Sequence, residues 1–217
     1  APKPLAGKRA LVTSGPTHEP IDPVRVMANR SSGQQGQAIA SALAAAGAEV
    51  TLVTGPVNLP QPPGMTVVPV QTADQMLAAA QAALPADIAV FAAAVADWKP
   101  KTTATEKLKK VGGQDELSMS FVKNPDILAT IAQADHRPAL VVGFAAETEN
   151  VVANAQGKLA RKNADWIVAN DVSGGAVFGE QTNTVTLVSA QEAEAWPTLT
   201  KDQVAERLVQ KFVESLP

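Results

Sequence analysis

An α/β protein built on a doubly wound, mainly parallel sheet is the expectation for this chain, and three observations lead to it. Apolar, β-branched runs bounded by turn residues occur at 10–13, 50–54, 66–70, 88–95, 140–144 and 166–169, and they alternate with helical patterns at 34–46, 73–84, 124–134 and 149–162. Strands that alternate with helices pair in parallel, because a crossover helix returns the chain to the same end of the sheet. The runs IAVFAAAV and ALVVGFAA are apolar at nearly every position, as strands covered by helices on both faces require. Finally, 9–55 reads as strand, polar loop, glycine-punctuated helix start, helix and strand, the layout of a nucleotide-type βαβ unit.

The loop of that first unit, between Ser14 and Gln34, is long and carries side chains as well as amides. Glu19-Pro20 and Asp22-Pro23 make X-Pro turns, and Arg25, Asn29 and Ser31-Ser32-Gly33 follow. Long loops inside compact domains are usually functional. The helix at 34–46 is rich in alanine, closes at Gly47, and offers free N–H groups and a positive dipole end to an anion such as phosphate. A serine cap with packing glycines is the plainer alternative. The runs at 88–95 and 140–144 are expected to be central strands. Residues 98–123 break the rhythm, being polar, lysine-rich and interrupted by Gly112-Gly113 before an alternating ELSMSFV. They read as an inserted flap with a small strand or hairpin, and its glycine pair and lysines favour mobility. The segment 171–184 is a glycine-rich loop leading to the strand VTLVS. The last helix, 201–214, sets Val204, Leu208, Val209 and Phe212 at helical spacing, as plain packing requires.

Composition narrows the possibilities. A length of 217 residues with 46% hydrophobic and 18% charged suits one globular domain over 1–217, whose Pro-rich start 1–7 reads as a linker from something upstream or a trimmed terminus. The absence of cysteine excludes disulfides, thiolate catalysis and cysteine-held metals. His18 and His136 lie far apart, which argues against a His-led triad or zinc site, so no resident metal site is expected. No apolar run reaches the roughly 18 residues of a membrane span, and the start lacks a secretory pattern, so a cytoplasmic protein without a membrane partner is expected. A net charge of −3 argues against broad nucleic-acid binding. Lys99, Lys101, Lys107, Lys109, Lys110 and Lys123 nevertheless gather positive charge mid-chain, which suits a small polyanion.

In open α/β sheets ligands bind beyond the carboxyl ends of the strands. There the sequence places Gly15, Pro16, Asn29, Ser31, Ser32 and Gly33 after the first strand, Ala96-Asp97 after IAVFAAAV, Ala145 to Thr148 after LVVGF, and Asn170-Asp171 after WIVA. Asp97 could bond a nucleotide or help hold the magnesium that travels with a triphosphate, or it could cap a turn. Glu147 carries the same two readings. Ala92-Ala93-Ala94 is small enough for a flat base or an extended arm to lie on backbone, and equally suits close helix–sheet packing. The run 106–110, EKLKK, could bring an ammonium to developing phosphate charge or simply be solvated. Asn124-Pro125-Asp126 is a helix start with Asn as cap, Pro in the first turn and Asp on the dipole. Lys158 and Lys162 share a helix face, with Arg161 beside it, and facing the cleft they would clamp a triphosphate.

Taken in order, SGPTHEPIDPVRVMANRSSGQQG, AAAVADW, EKLKK, VKNPDIL, GFAAET, KLARKN and ANDV closely resemble the bacterial phosphopantothenoylcysteine synthetases, over residues 5–217. The resemblance implies a Rossmann-like fold, a homodimer, and a ligase of coenzyme A biosynthesis, often the C-terminal half of a protein whose N-terminal half is a flavin-dependent decarboxylase. It implies that CTP, with Mg2+, activates 4′-phosphopantothenate as an acyl-cytidylate with release of pyrophosphate, and that L-cysteine then gives the amide and CMP. By motif, Asn29 would contact the activated acyl group and Ser31, Ser32 and Gly33 would sit near the substrate phosphate. Phe91, Ala92, Ala93 and Asp97 would line the nucleotide site, and Lys107 would be the flap lysine needed for catalysis. Pro125, Asp126, Ile127 and Leu128 would offer helix-start amides to CTP, Phe144 would pack beside it, and Lys158 and Lys162 would meet its phosphates.

The chain departs from the commoner pattern at Arg30, where His is frequent, at Gln34-Gln35, where Lys-Met is frequent, and at Trp98, where Tyr or Phe is. A missing lysine at 34 leaves open which cation neutralises the substrate phosphate, with Arg25 and Arg30 as candidates. A short-chain NAD(P) reductase would share the architecture, but there is no Tyr for its acid pair and no G-x-G-x-x-G after the first strand. A non-enzymatic, ligand-sensing or dimerising half of a fusion stays compatible with the sequence, because catalysis leaves no mark there that binding does not.

Overall fold

The computed structural model describes residues 3–173 and 180–217. Along the chain run β1 (Arg9–Ser14), β2 (His18–Pro20), β3 (Val26–Ala28), α1 (Gln34–Ala45), β4 (Glu49–Thr54), β5 (Thr66–Pro69), α2 (Ala73–Ala82) and β6 (Ile88–Phe91). They are followed by β7 (Trp98–Pro100), β8 (Phe121–Lys123), α3 (Ile127–Ala132), β9 (Leu140–Glu147), α4 (Val151–Lys162) and β10 (Trp166–Asp171). The last elements are β11 (Thr182–Asn183), β12 (Val185–Ser189), β13 (Ala193–Ala195), β14 (Leu199–Thr200) and α5 (Lys201–Ser215).

One eight-stranded sheet, in the order β13-β12-β10-β9-β6-β1-β4-β5, forms the middle layer. It is parallel from β10 to β5, and β12 and β13 add antiparallel strands at one edge. This is the Rossmann-like order, in which the winding reverses between β1 and β6 and leaves a crevice at their carboxyl ends. Successive residues of each central strand serve opposite cores. Val12, Val90 and Val142 pack with Ile39 and Leu43 of α1 and Leu208 and Phe212 of α5. Leu11, Ala89 and Val141 pack with Met76 of α2, Ile131 of α3 and Leu159 of α4. Burial on both faces explains why these strands read as continuous apolar runs.

Several elements differ from the sequence expectation, each for a local reason. The run 88–95 is strand only to Phe91: Ala92 and Ala94 still donate to Thr13 O and Gly15 O, and Thr17 N donates to Ala94 O, but Gly15, in the left-handed region at φ 76, turns the end of β1 out of regular pairing. The run 140–144 extends to Glu147, since β10 pairs with it to that residue. Helix 124–134 contracts to Ile127–Ala132, capped by the Asp126 carboxylate on Ala129 N and not by Asn124. Asn124 instead donates to Ala96 O at 2.7 Å.

The loop 14–34 contains the antiparallel pair β2–β3, and no serine caps α1, whose N-cap is Gly33 in the left-handed region at φ 75. Of ELSMSFV only Phe121 and Val122 are strand, in β8, which pairs with β7 as the hairpin of the flap. In the glycine-rich stretch 171–184, residues 174–179 lie outside the described residues, and Thr182–Asn183 pairs with β14.

Candidate functional site

Two cavities open at the crevice between β1 and β6. The first, of about 600 Å³, lies between the 92–98 segment, the start of α3 and the middle of α4. The second, of about 680 Å³, lies between Asn29–Gly36, the same 92–97 segment and the far side of the sheet at Asn170 and Asn183. Ala93, Val95, Asp97, Phe144 and Lys158 line both, so the two cavities meet at a shared wall.

That wall is built from backbone packed on backbone. Gly36 brings the first turn of α1 against β1 so closely that a Cβ there would lie 2.3 Å from Ser14 Oγ, which itself donates to Gly33 O. A Cβ on Gly55 would strike Pro16 O, so the exit of β4 holds the 15–17 turn. Buried Thr17 accepts from Ala96 N through its hydroxyl at 3.0 Å and fixes the 92–97 segment. Asn29 Nδ2 donates to Val95 O at 3.1 Å, which brings the long loop onto the same segment.

The structure gathers most of the residues singled out in the sequence. Phe91, Ala93, Asp97, Pro125, Asp126, Ile127, Leu128, Phe144, Lys158 and Lys162 line the first cavity. Asn29, Ser31, Ser32, Gly33, Ala92 and Asn170 line the second. The hydroxyls of Ser31 and Ser32 accept from Gly33 N and Gln34 N, at 3.3 and 3.4 Å, and so brace the start of α1. Lys107 lines neither cavity and is exposed on the flap. Glu147 is turned to Asn154 Nδ2 at 2.9 Å, and Asp171 accepts from Ser173 N, so neither faces the cavities. Arg161 lines neither cavity; of the two candidate arginines, Arg30 borders the second and Arg25 does not.

The charges of the first cavity are arranged in opposition. Lys158 Nζ donates to Phe144 O at 2.6 Å, and burial, reinforced by the nearby Lys162, lowers its pKa below that of an ordinary lysine despite Asp126, Glu147 and Asp97. Lys162 is paired with Asp126. Burial pushes the Asp126 carboxyl up, but the Lys162 ammonium and the Ala129 N–H more than offset it and hold the group below the usual range. A cavity with two crowded ammonium groups gains by admitting an anion, which relieves both the burial cost and the mutual repulsion.

Sequence reasoning missed three buried polar groups and one cation. Glu19 Oε1 accepts from Ala73 N at the first turn of α2, anchoring β2. Asp22, its side chain fully buried, accepts from Val24 N, Arg25 N, Arg25 Nε and Nη2, and Leu108 N, while Arg25 Nη2 also donates to Leu108 O. The Asp-Pro-Val-Arg turn was the signal for it, since Asp at the head of such a turn bonds the amides two and three residues on. The Arg25 guanidinium, with those amides, holds the Asp22 carboxyl far below the usual range against the effect of burial. Thr17 is the third group. Lys201, at the head of α5, reaches the second cavity from the far end of the chain, and no local pattern announces it.

A Rossmann-ordered sheet with two adjoining, lysine-bearing cavities at its switch point defines an α/β protein with room for two ligands side by side, at the place where such sheets bind their ligands. The chain belongs to the family of the DNA/pantothenate metabolism flavoprotein C-terminal domain, whose model matches residues 5–216. It is 44% identical over 218 residues to the coenzyme A biosynthesis bifunctional protein CoaBC of Vibrio cholerae, covering 100% of this chain and 55% of that protein. It is 47% identical over 207 residues to the protein of the same name from Escherichia coli K12, covering 94% of this chain and 51% of that one. The chain thus spans about half the length of these curated relatives. The crystal structure of the C-terminal domain of a CoaBC protein superposes with a TM-score of 0.82 at 39% identity, covering 98% of this chain and 97% of that one.

Proposed function

We propose that this chain is a phosphopantothenate–cysteine ligase of coenzyme A biosynthesis that activates its acid with CTP. The observation that carries the reading is the shared wall: the residues expected at a nucleotide line one cavity, except Ala92, which faces the other, and Lys107 on the flap; those expected at the acyl substrate line the other, and Asp97, Phe144 and Lys158 belong to both. Similarity to proteins named as coenzyme A biosynthesis bifunctional proteins supports it, and so does the match of nearly the whole chain to a CoaBC C-terminal domain. The choice of cytidine follows from the family resemblance.

In this reading the triphosphate lies against the start of α3 and Lys158 and Lys162, and 4′-phosphopantothenate lies along 29–36 with its carboxylate at the shared wall. A carboxylate oxygen attacks the α-phosphorus, a P–O bond to the β-phosphate breaks, and pyrophosphate leaves. The cysteine amine then attacks the acyl carbon, loses a proton to solvent, and CMP departs with the bridging oxygen. No strong base is needed. The protein's work is to orient two anions and screen their repulsion, which is where positioning and electrostatic stabilisation act. In this reading Asn29, held on Val95 O, bonds the acyl-cytidylate carbonyl.

Among the described residues no group of three or more His, Cys, Asp or Glu would hold a metal alone. Mg2+ bound mainly by triphosphate oxygens and water needs only one or two carboxylates, and Asp97 on the shared wall fits that need. When bound it would neutralise charge on the departing pyrophosphate. Exposed Val24, Val26, Trp98, Phe121 and Val122 on the two hairpins support a homodimer. The bifunctional relatives, twice as long, support a fused or associated flavin-dependent decarboxylase. Among the described residues no helix is long and apolar enough to cross a membrane.

The test is pyrophosphate release by the isolated chain. It is expected only when CTP, Mg2+ and 4′-phosphopantothenate are all present, with amide product once cysteine is added. Binding of the ligands without any pyrophosphate release would make the chain a sensing or assembly module instead.

A further inference from the structure

The second cavity has a wall that it does not share with the first, formed where α1 meets α5, and on it lies a cation absent from the sequence expectation. We infer that Lys201 receives the phosphate of the acid held in this cavity, and that Gln34 and Gln35 hold Lys201 in place to do so. The inference rests on reading that acid as 4′-phosphopantothenate.

The geometry begins with the substrate's two anionic ends. If the carboxylate must reach the nucleotide at the shared wall, the phosphate is sent to the opposite side, where Ser31, Ser32, Gln34, Gln35, Asn183 and Lys201 stand. Lys201 Nζ donates to Gln34 Oε1 at 3.3 Å, while Gln35 Nε2 donates to Lys201 O at 2.9 Å. Gln35 is itself fixed, its Oε1 accepting from Asn183 Nδ2 at 2.6 Å, and Asn170 Nδ2 donates to Asn183 Oδ1 at 3.2 Å. The backbone of Lys201 is therefore tied down by a chain of amides, whereas among the described residues its ammonium has one long bond, to a neutral oxygen. An ammonium has three donors, and a charge-assisted bond to phosphate is stronger than one to an amide.

Electrostatics on that wall favour an anion. Lys201 is half-buried, and burial lowers its pKa while Glu180, exposed on the same cavity, raises it. A phosphate dianion would serve the ammonium better than the single, exposed carboxylate. The other cations on the cavity are placed differently. Lys158 is bonded to Phe144 O on the shared wall, and Arg30 is exposed on the loop. The first turn of α1 borders the cavity with Gln34, Gln35 and Gly36, so its positive end adds to the ammonium. Gln34 thus occupies a position that a cation could fill, and Lys201 supplies that cation from another helix.

The experiment compares kcat, KM for 4′-phosphopantothenate and KM for CTP in wild type, in Lys201→Gln, and in the double variant Lys201→Gln with Gln34→Lys. Loss of a hydrogen bond to a charged group predicts a rise in the phosphopantothenate KM of about tenfold or more in Lys201→Gln. The KM for CTP should stay at its wild-type value, and the double variant should recover most of the loss, because it returns the charge to the same wall. An active wild type whose Lys201→Gln variant keeps its phosphopantothenate KM overturns the assignment alone. Equal losses in the single and double variants make Lys201 a packing residue and overturn it likewise. A wild type inactive on phosphopantothenate overturns the reading of the cavity itself.

Discussion

Lys158 stands at the wall where two anions would meet, and its surroundings explain its use. Burial and Lys162 both disfavour its charge, so a phosphate bound beside it relieves an unfavourable electrostatic environment. Lys107 is placed otherwise, exposed on the flap and outside both cavities. An ammonium that reaches the nucleotide only when the flap covers it stabilises charge developing in the transition state more than it stabilises bound CTP. Lys107→Gln is therefore expected to lower kcat by about 10²–10³ while leaving the KM for CTP nearly unchanged. Matching losses in kcat/KM and CTP affinity, measured by steady-state kinetics and direct titration, would reduce Lys107 to a binding contact. Asp97, Lys158 and Lys162 were legible in the sequence because they follow apolar runs or share a helix face. Lys201 was not, since it meets Gln34 only through the packing of α1 on α5.

The flap and the hairpin β2–β3 act as one unit because Asp22 joins them. Its carboxylate accepts from Leu108 N at 3.1 Å, Arg25 brackets Leu108 O, and Ala104 N donates to Ile21 O at 3.0 Å. The residue next to Lys107 is thus tethered to the loop that carries Asn29. Asp22→Asn removes the ion pair and sets an amide donor against donors. Exchange of the Leu108 amide should then quicken about tenfold or more relative to wild type. Unchanged protection would show that the tether lies elsewhere. The pH dependence has a definite sign. The folded carboxyl lies far below the ordinary value of 3.8, so its stabilisation is fully present above that value and is lost progressively as the pH falls from there through the lowered one. In wild type the intrinsic-rate-corrected protection of Leu108 should accordingly persist from neutral pH down to about pH 4. Three-residue strands such as β2 and β3 carry too little periodicity to be read from sequence, which is why this unit appeared there only as a loop with X-Pro turns.

At the scale of the whole molecule, the reversal of strand order between β1 and β6 creates the crevice, and the 92–97 segment divides it. The sheet and its helices were legible because burial on both faces forces continuous apolar runs, as in β6 and β9. Their ends were less so: β6 stops where Gly15 turns β1 through the left-handed region, and α3 starts at Asp126 because Asn124 bonds Ala96 O instead. The division into two chambers could not be read locally, since it depends on Thr17, Asn29 and Asn124 converging on one segment from separate parts of the chain. The shared wall is meant to bring a carboxylate oxygen onto the nucleotide α-phosphorus. Turnover of 4′-phosphopantothenate labelled with 18O in its carboxylate, with CTP, Mg2+ and cysteine, tests this most directly by mass spectrometry of the CMP. The account predicts that one labelled oxygen passes into the CMP phosphate, and CMP free of label would contradict it.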